Sequence, residues 1–182
     1  MAQDRVDPAW QFQHSVDCHA TRQFAWSYWI NVANWNDPPA SFHLDGPFDI
    51  GSRLTTSLPG QTLHSVIRGL KANREATIEM QLPDAILSFH WTFENLHEDQ
   101  TRITQRLVLS GPNAKSFVAQ ANMLEQSTPA GMKKLAEAIQ TAQQAEQRPG
   151  VKMFTPKRRL CGFSDSQVWR DTELYRNKTG NK

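Results

Sequence analysis

From Ser41 to Ser110 apolar and polar side chains alternate with a period of two, and from Ala114 to Ala142 that period gives way to the repeat of an α-helix. Few architectures accommodate such a switch. The alternating stretch divides into candidate strands at Phe42–Leu44, Arg53–Leu58, Thr62–Leu70, Glu75–Leu82, Ile86–Leu96 and Thr101–Ser110. Gly46-Pro47, Pro59-Gly60, Lys71-Ala72-Asn73, Pro83-Asp84 and His97-Glu98-Asp99-Gln100 separate them, and connections this short join antiparallel neighbours. Leu87, Phe89, Trp91 and Phe93 alternate with Ser88, His90, Thr92 and Glu94, and Ile103, Gln105, Leu107 and Leu109 alternate with polar neighbours in the same way. Sheets patterned like this have one wet face and one face that needs a cover. The helical stretch supplies it. Phe117, Ala121, Leu124, Thr128, Met132, Leu135 and Ile139 follow one another at steps of three or four and so form one stripe. Pro129 offers no N–H to the Glu125 carbonyl and is expected to kink or divide this helix.

Before the meander come a strand and two short helices. Trp10, Phe12, His14 and Val16 alternate with Gln11, Gln13, Ser15 and Asp17, as a half-buried strand requires. Phe24, Ala25, Tyr28, Trp29 and Val32 then share one face of a helix from about Thr21 to Val32. A further helical turn carries Trp35, and Asp37-Pro38-Pro39 stops it. The expected fold class is α+β: a curved antiparallel sheet of about seven strands, closed on one face by a long C-terminal helix. A rod laid across a curved sheet rarely fills the space beneath it, so a cavity is expected, with its edge near Pro129.

Only 38% of the 182 residues are hydrophobic, lean for a packed globule, which fits a hollow interior or a polar segment outside the core. The charge locates such a segment. Nine of the 20 basic and four of the 18 acidic residues follow position 142, which leaves 11 and 14, a net charge of −3, for everything before it. The expected organisation is an N-terminal extension (1–9), a body (10–142) and a basic tail (143–182), read as flexible from its turn formers and scattered charge. A body at −3 has no basic groove, which argues against nucleic-acid binding there; the tail, with Lys157-Arg158-Arg159, is a candidate contact for an acidic partner or surface. Val168, Trp169 and Tyr175 could form a docking turn within it. No segment approaches a membrane span of ~20 apolar residues, and the first residues lack an export signal. Two cysteines, Cys18 and Cys161, fit a reducing compartment, so a cytoplasmic protein is expected, as a monomer or homodimer.

The order of strand, two short helices, six-strand meander and long helix is that of the helix-grip fold, and particular residues carry a narrower likeness. Val16 to Trp35, with Phe24 and Asn31-Val32-x-x-Trp35, resembles the opening of the START-like, or SRPBCC, superfamily. Gly46-Pro47-Phe48 with Gly51-Ser52 resembles its "Gly-Pro-Phe-x-x-Gly-Ser" segment. Phe89 to Glu94, Thr101 to Gln105 and Gly131 to Leu135 resemble later blocks of its polyketide cyclase/dehydrase-like branch. The likeness covers about Trp10 to Ala142, and the tail lies outside it. It implies a hydrophobic pocket between sheet and helix that receives a small, largely apolar molecule, aromatic or polyketide- or lipid-like. That branch has no common catalytic motif, so no residue here acquires a catalytic role from it.

The inward sets supply the pocket candidates: Phe12, Trp29, Phe89, Trp91, Phe93, Leu107 and Leu124 for contact area, with His14 and Gln105 as polar interruptions. Two readings follow. In one the protein binds or carries its ligand; in the other it is a cyclase or dehydratase in which His14 shuttles a proton and Gln105 holds an oxygen. No cofactor is called for. Metal chemistry finds little support: His90 and Glu94 have the i, i+4 spacing of a helical pair, but four steps along a strand separate them by ~13 Å. Cys18 near His14 or His19 lacks a third orienting group and reads as a structural thiol.

Overall fold

The computed structural model describes residues 7–147. The readings on the tail beyond Gln147, including Lys157-Arg158-Arg159, Cys161, Val168, Trp169 and Tyr175, lie outside the described residues, as do residues 1–6 of the expected extension.

Seven strands form one antiparallel sheet: β1 (Trp10–Cys18), β2 (Ser41–Leu44), β3 (Arg53–Leu58), β4 (Gln61–Lys71), β5 (Glu75–Leu82), β6 (Ala85–His97) and β7 (Gln100–Ser110). Their spatial order is β1-β7-β6-β5-β4-β3-β2, a meander to which β1 is added beside β7. The expected strands are all present and differ only by a residue or two at their ends. Register puts Trp10 opposite Leu109, His14 opposite Gln105 and Cys18 opposite Thr101, which sets the inward side chains of β1 beside those of β7. A bulge between Ile67 and Gly69 in β4 and a second shift between Asn95 and His97 in β6 interrupt the ladders, and such insertions bend a sheet locally.

After β1, α1 (Arg22–Ile30) begins at Thr21, whose Oγ1 accepts from the Phe24 N–H at 3.2 Å. It ends two residues earlier than its spacing predicts, because Asn31 is extended and a 3₁₀ turn (Val32–Trp35) follows. Helices leave their last carbonyls unpaired, and here side chains from that turn supply the donors. Asn34 Nδ2 donates to Tyr28 O at 2.8 Å and Trp35 Nε1 to Trp29 O at 2.7 Å. The buried face also differs from the expected one. Ala25, Trp26 and Trp29 are buried, whereas Phe24 and Tyr28 are half-buried, because the Trp26 indole packs edge-on against Phe93 at 5.3 Å and beside Trp29.

Beyond β7 the chain turns at Gly111, whose φ of +113° suits glycine; a Cβ there would lie 2.8 Å from Ala85 Cα. A 3₁₀ turn (Ala114–Phe117) then leads into α2 (Val118–Glu146). The predicted division at Pro129 does not occur: α2 runs through it, about 43 Å long at 1.5 Å per residue. The carbonyl that Pro129 leaves unpaired belongs to exposed Glu125, where water can satisfy it. Four residues beyond the expected end, the last turn is held by packing: Gln143 is buried, and its Oε1 accepts from Thr21 N at 2.9 Å. Phe117, Ala121, Met132, Leu135 and Ile139 are buried, and Leu124 and Thr128 half-buried, so the expected stripe faces inward. It faces mainly β1, with a smaller contact on β7.

Candidate functional site: an apolar cavity beside the long helix

Because α2 lies over β1, it covers the inner face of the remaining strands only in part. The cavity found there is about 70 Å³, measured to the centre of a water-sized sphere. Its walls come from β2 to β6, from Trp35 and from Leu124 of α2. Alternation builds most of it. Leu54, Thr56 and Leu58 on β3, Leu63 and Ser65 on β4, Ile78 and Met80 on β5, and Phe89 and Trp91 on β6 are successive inward positions. Phe42 of β2 completes the side nearest Trp35, against which it packs edge-on at 5.8 Å. Apart from the indole N–H groups of Trp35 and Trp91, the polar groups of this lining are the hydroxyls of Thr56 and Ser65, which are buried. None of the lining residues titrates near neutral pH.

Of the nine residues predicted to line the pocket, Phe89, Trp91 and Leu124 do so. The other six lie elsewhere. Trp29, 1% exposed, stands behind the wall at the centre of an aromatic cluster, 5.4 Å from Trp35, 5.2 Å from Trp91, 5.1 Å from Phe48 and 5.4 Å from Phe93. It fixes the two indoles that face the cavity, and Phe93 is buried with it. Leu107 is core on β7. Phe12 and His14 are half-buried on β1, the strand that α2 packs against. Gln105 is buried on β7, between His14 and Trp91 in register, and outside the cavity lining. For the four on β1 and β7 the physical reason is that period two gives the side of a sheet a residue faces, not the strand over which the covering helix lies; Trp29 and Phe93 are instead taken up by packing against each other in the aromatic cluster. Trp35, Phe42, Leu54, Thr56, Leu58, Leu63, Ser65, Ile78 and Met80 were missed. A legible signal existed for two of them, since Thr56 and Ser65 are hydroxyls at inward positions of otherwise apolar alternations.

Elsewhere the chemistry is quiet. Cys18 is buried, and burial first, then the neighbouring Asp17 charge, pushes its thiol up to about 11, so the thiolate is scarce at neutral pH. On the outer face, Arg102 donates to both Asp17 oxygens at 2.8 and 3.0 Å, and this hydrogen bonding holds the Asp17 carboxyl below its usual range. Arg106 donates to Gln11 Oε1 at 2.8 Å. His90 shares a hydrogen bond of 3.1 Å with Thr77; burial first, then Arg106, lowers its pKa. Among the described residues, no three of His, Cys, Asp and Glu gather as a metal site would need, and no helix is long and apolar enough to cross a membrane.

No protein-family model and no curated protein matches the sequence. Solved structures do match in shape. Norcoclaurine synthase from Thalictrum flavum superposes with a TM-score of 0.60 at 11% identity, over 76% of this chain and 99% of that one. The ZhuI aromatase/cyclase from Streptomyces sp. R1128 gives 0.58 at 15% identity, over 78% and 99%. Ara h 8.0201 gives 0.53 at 12%, over 75% and 98%. The chain has the helix-grip fold of these structures. Within that fold, norcoclaurine synthase has been solved with dopamine and hydroxybenzaldehyde, two ring-bearing small molecules. In the present helix-grip protein the space bounded by sheet and long helix is the apolar cavity described above.

Proposed function

We propose that this protein binds a small, largely apolar molecule in the cavity bounded by β2 to β6, Trp35 and Leu124. The observation that carries the reading is the lining itself: aliphatic and aromatic on every strand, with two hydroxyls and no acid, base or thiol. A cyclase or dehydratase needs a group that moves a proton at the reacting atoms. His14, the candidate for that role, lies outside the lining, so binding or carriage is the better-supported activity. The ring-bearing compounds held by norcoclaurine synthase support a ligand of the same general class.

Size sets a condition. A cavity of ~150 Å³ lined by aliphatic and aromatic side chains is what holds one benzene ring, and this one measures about 70 Å³. A ring-sized ligand therefore has to widen it. The wall with least packing is the first half of α2, where Ala121 is the one buried residue before Met132. Native mass spectrometry of freshly purified protein is the test, together with titration of an apolar fluorophore into wild type and Leu58→Trp. Leu58 is a half-buried lining residue, so the larger ring fills the cavity at small cost to folding. A retained molecule, or fluorophore binding that Leu58→Trp abolishes, is expected. Equal binding by a folded Leu58→Trp would overturn the proposal.

A further inference from the structure

Gln105 is 1% exposed, and its Nε2 has no hydrogen-bond partner among the described residues. A buried amide donor left in this state forfeits the hydrogen bonds it would make to water, a cost that proteins rarely carry without a use for the group. Its position suggests the use. Register places Gln105 directly opposite Trp91, with Phe89 opposite the next inward residue of β7, Leu107. Trp91 and Phe89 are the β6 wall of the cavity. Gln105 thus stands on the strand next to that wall, one backbone spacing of about 4.8 Å away and on the same face of the sheet. The two hydroxyls of the cavity lining, Thr56 and Ser65, stand on β3 and β4 at the opposite side.

The geometry points to Gln105 as the specificity-determining donor for a ligand that carries a carbonyl oxygen on an apolar ring system. This inference rests on the proposed binding function and narrows it. As a ligand widens the cavity at Trp91 and Leu124, its ring body takes the apolar walls and its carbonyl accepts from Nε2. A hydrocarbon of the same shape fills the same space and leaves the donor unpaired, so the site discriminates by one hydrogen bond. Discrimination of this kind is strong when the partner otherwise has nothing to bond to.

The test compares two near-isosteric probes, 2-acetylnaphthalene and 2-isopropylnaphthalene, each displacing an apolar fluorophore from the full chain. Wild type is expected to bind the ketone about tenfold more tightly, the equivalent of one buried hydrogen bond. Gln105→Met keeps length and volume and removes the donor, so it should bind both probes equally and the hydrocarbon as wild type does. A thermal melt of the free variant establishes that it folds, and Gln105→Leu provides a second replacement of the same kind. A wild type that does not distinguish the probes, or a Met variant that keeps the preference, overturns the inference while leaving cavity binding intact. Failure of both probes to bind wild type removes the proposed function and this inference with it.

Discussion

The inner face of the sheet has two unlike halves. Over β1 and β7 the C-terminal half of α2 buries Met132, Leu135, Ala136, Ala138, Ile139 and Gln143 against a continuous core. Over β2 to β5 no helix of the described residues lays such a face, and between Val118 and Gly131 only Ala121 is buried. The two halves have the same strand alternation and similar residues, so the difference lies in the cover. Interiors pack to crystal-like density where side chains from two elements interdigitate, and they stay hollow where one element runs out. The packed half anchors the helix, through Gln143 on Thr21 and Ile139 in the core, and the other half holds the cavity.

Mutations that remove the same kind of side chain from each half should separate them. Leu135→Ala is expected to cost about 2–5 kcal/mol in denaturant unfolding, because the residue is fully packed and its site cannot collapse. A loss below ~0.5 kcal/mol would mean that this half is no tighter than a surface. Cys18, at the end of the packed half, should resist iodoacetamide at neutral pH in a Cys161→Ser background and react only as the fold opens, since its thiol is buried and held near 11. Rapid alkylation of the native protein would place the loose region there instead.

Leu124→Ala, in the hollow half, should cost about 1.5 kcal/mol or less, because a half-buried side chain beside a cavity has fewer contacts to lose. Equal costs for Leu124→Ala and Leu135→Ala would erase the distinction between the halves. The smallest effect belongs to the outer face. Burial lowers the His90 pKa, so below the ordinary histidine value the unfolded chain takes up a proton that the native one does not. Stability therefore falls as pH drops from about 6.5, until the native imidazole also protonates. His90→Gln should flatten that slope in urea melts followed from pH 7 to 5, and an unchanged slope would assign it to other groups.

The positions of the strands and the inward face of the helix were readable because each depends on local periodicity. β3 and β5 begin and end where their alternation does, since Pro59-Gly60, Asn73 and Pro83-Asp84 mark the turns that flank them. Tertiary packing overrode the local signals in two places: Trp26 turned inward to meet Phe93, and the last turn of α2 ran on to Glu146 because Gln143 found Thr21. The helix also continued through Pro129, where the freed Glu125 carbonyl is exposed. The cavity was half legible. Phe89, Trp91 and Leu124 were found from alternation and the helical stripe, while Phe12, His14, Gln105 and Leu107 share the correct face but stand on strands that the helix covers or flanks.

The amino-acid order by itself determined which residues turn inward, where the strands break and that a single long amphipathic helix must close the sheet, because side-chain periods of 2 and 3.6 are properties of the backbone. Only the tertiary structure decided where that helix comes to rest. Its position over β1 follows from long-range contacts, Gln143 with Thr21 and the stripe with the β1–β7 core, that no local pattern encodes. Among the described residues, that resting place leaves β2 to β5 without a packed helix face, and the cavity lies there.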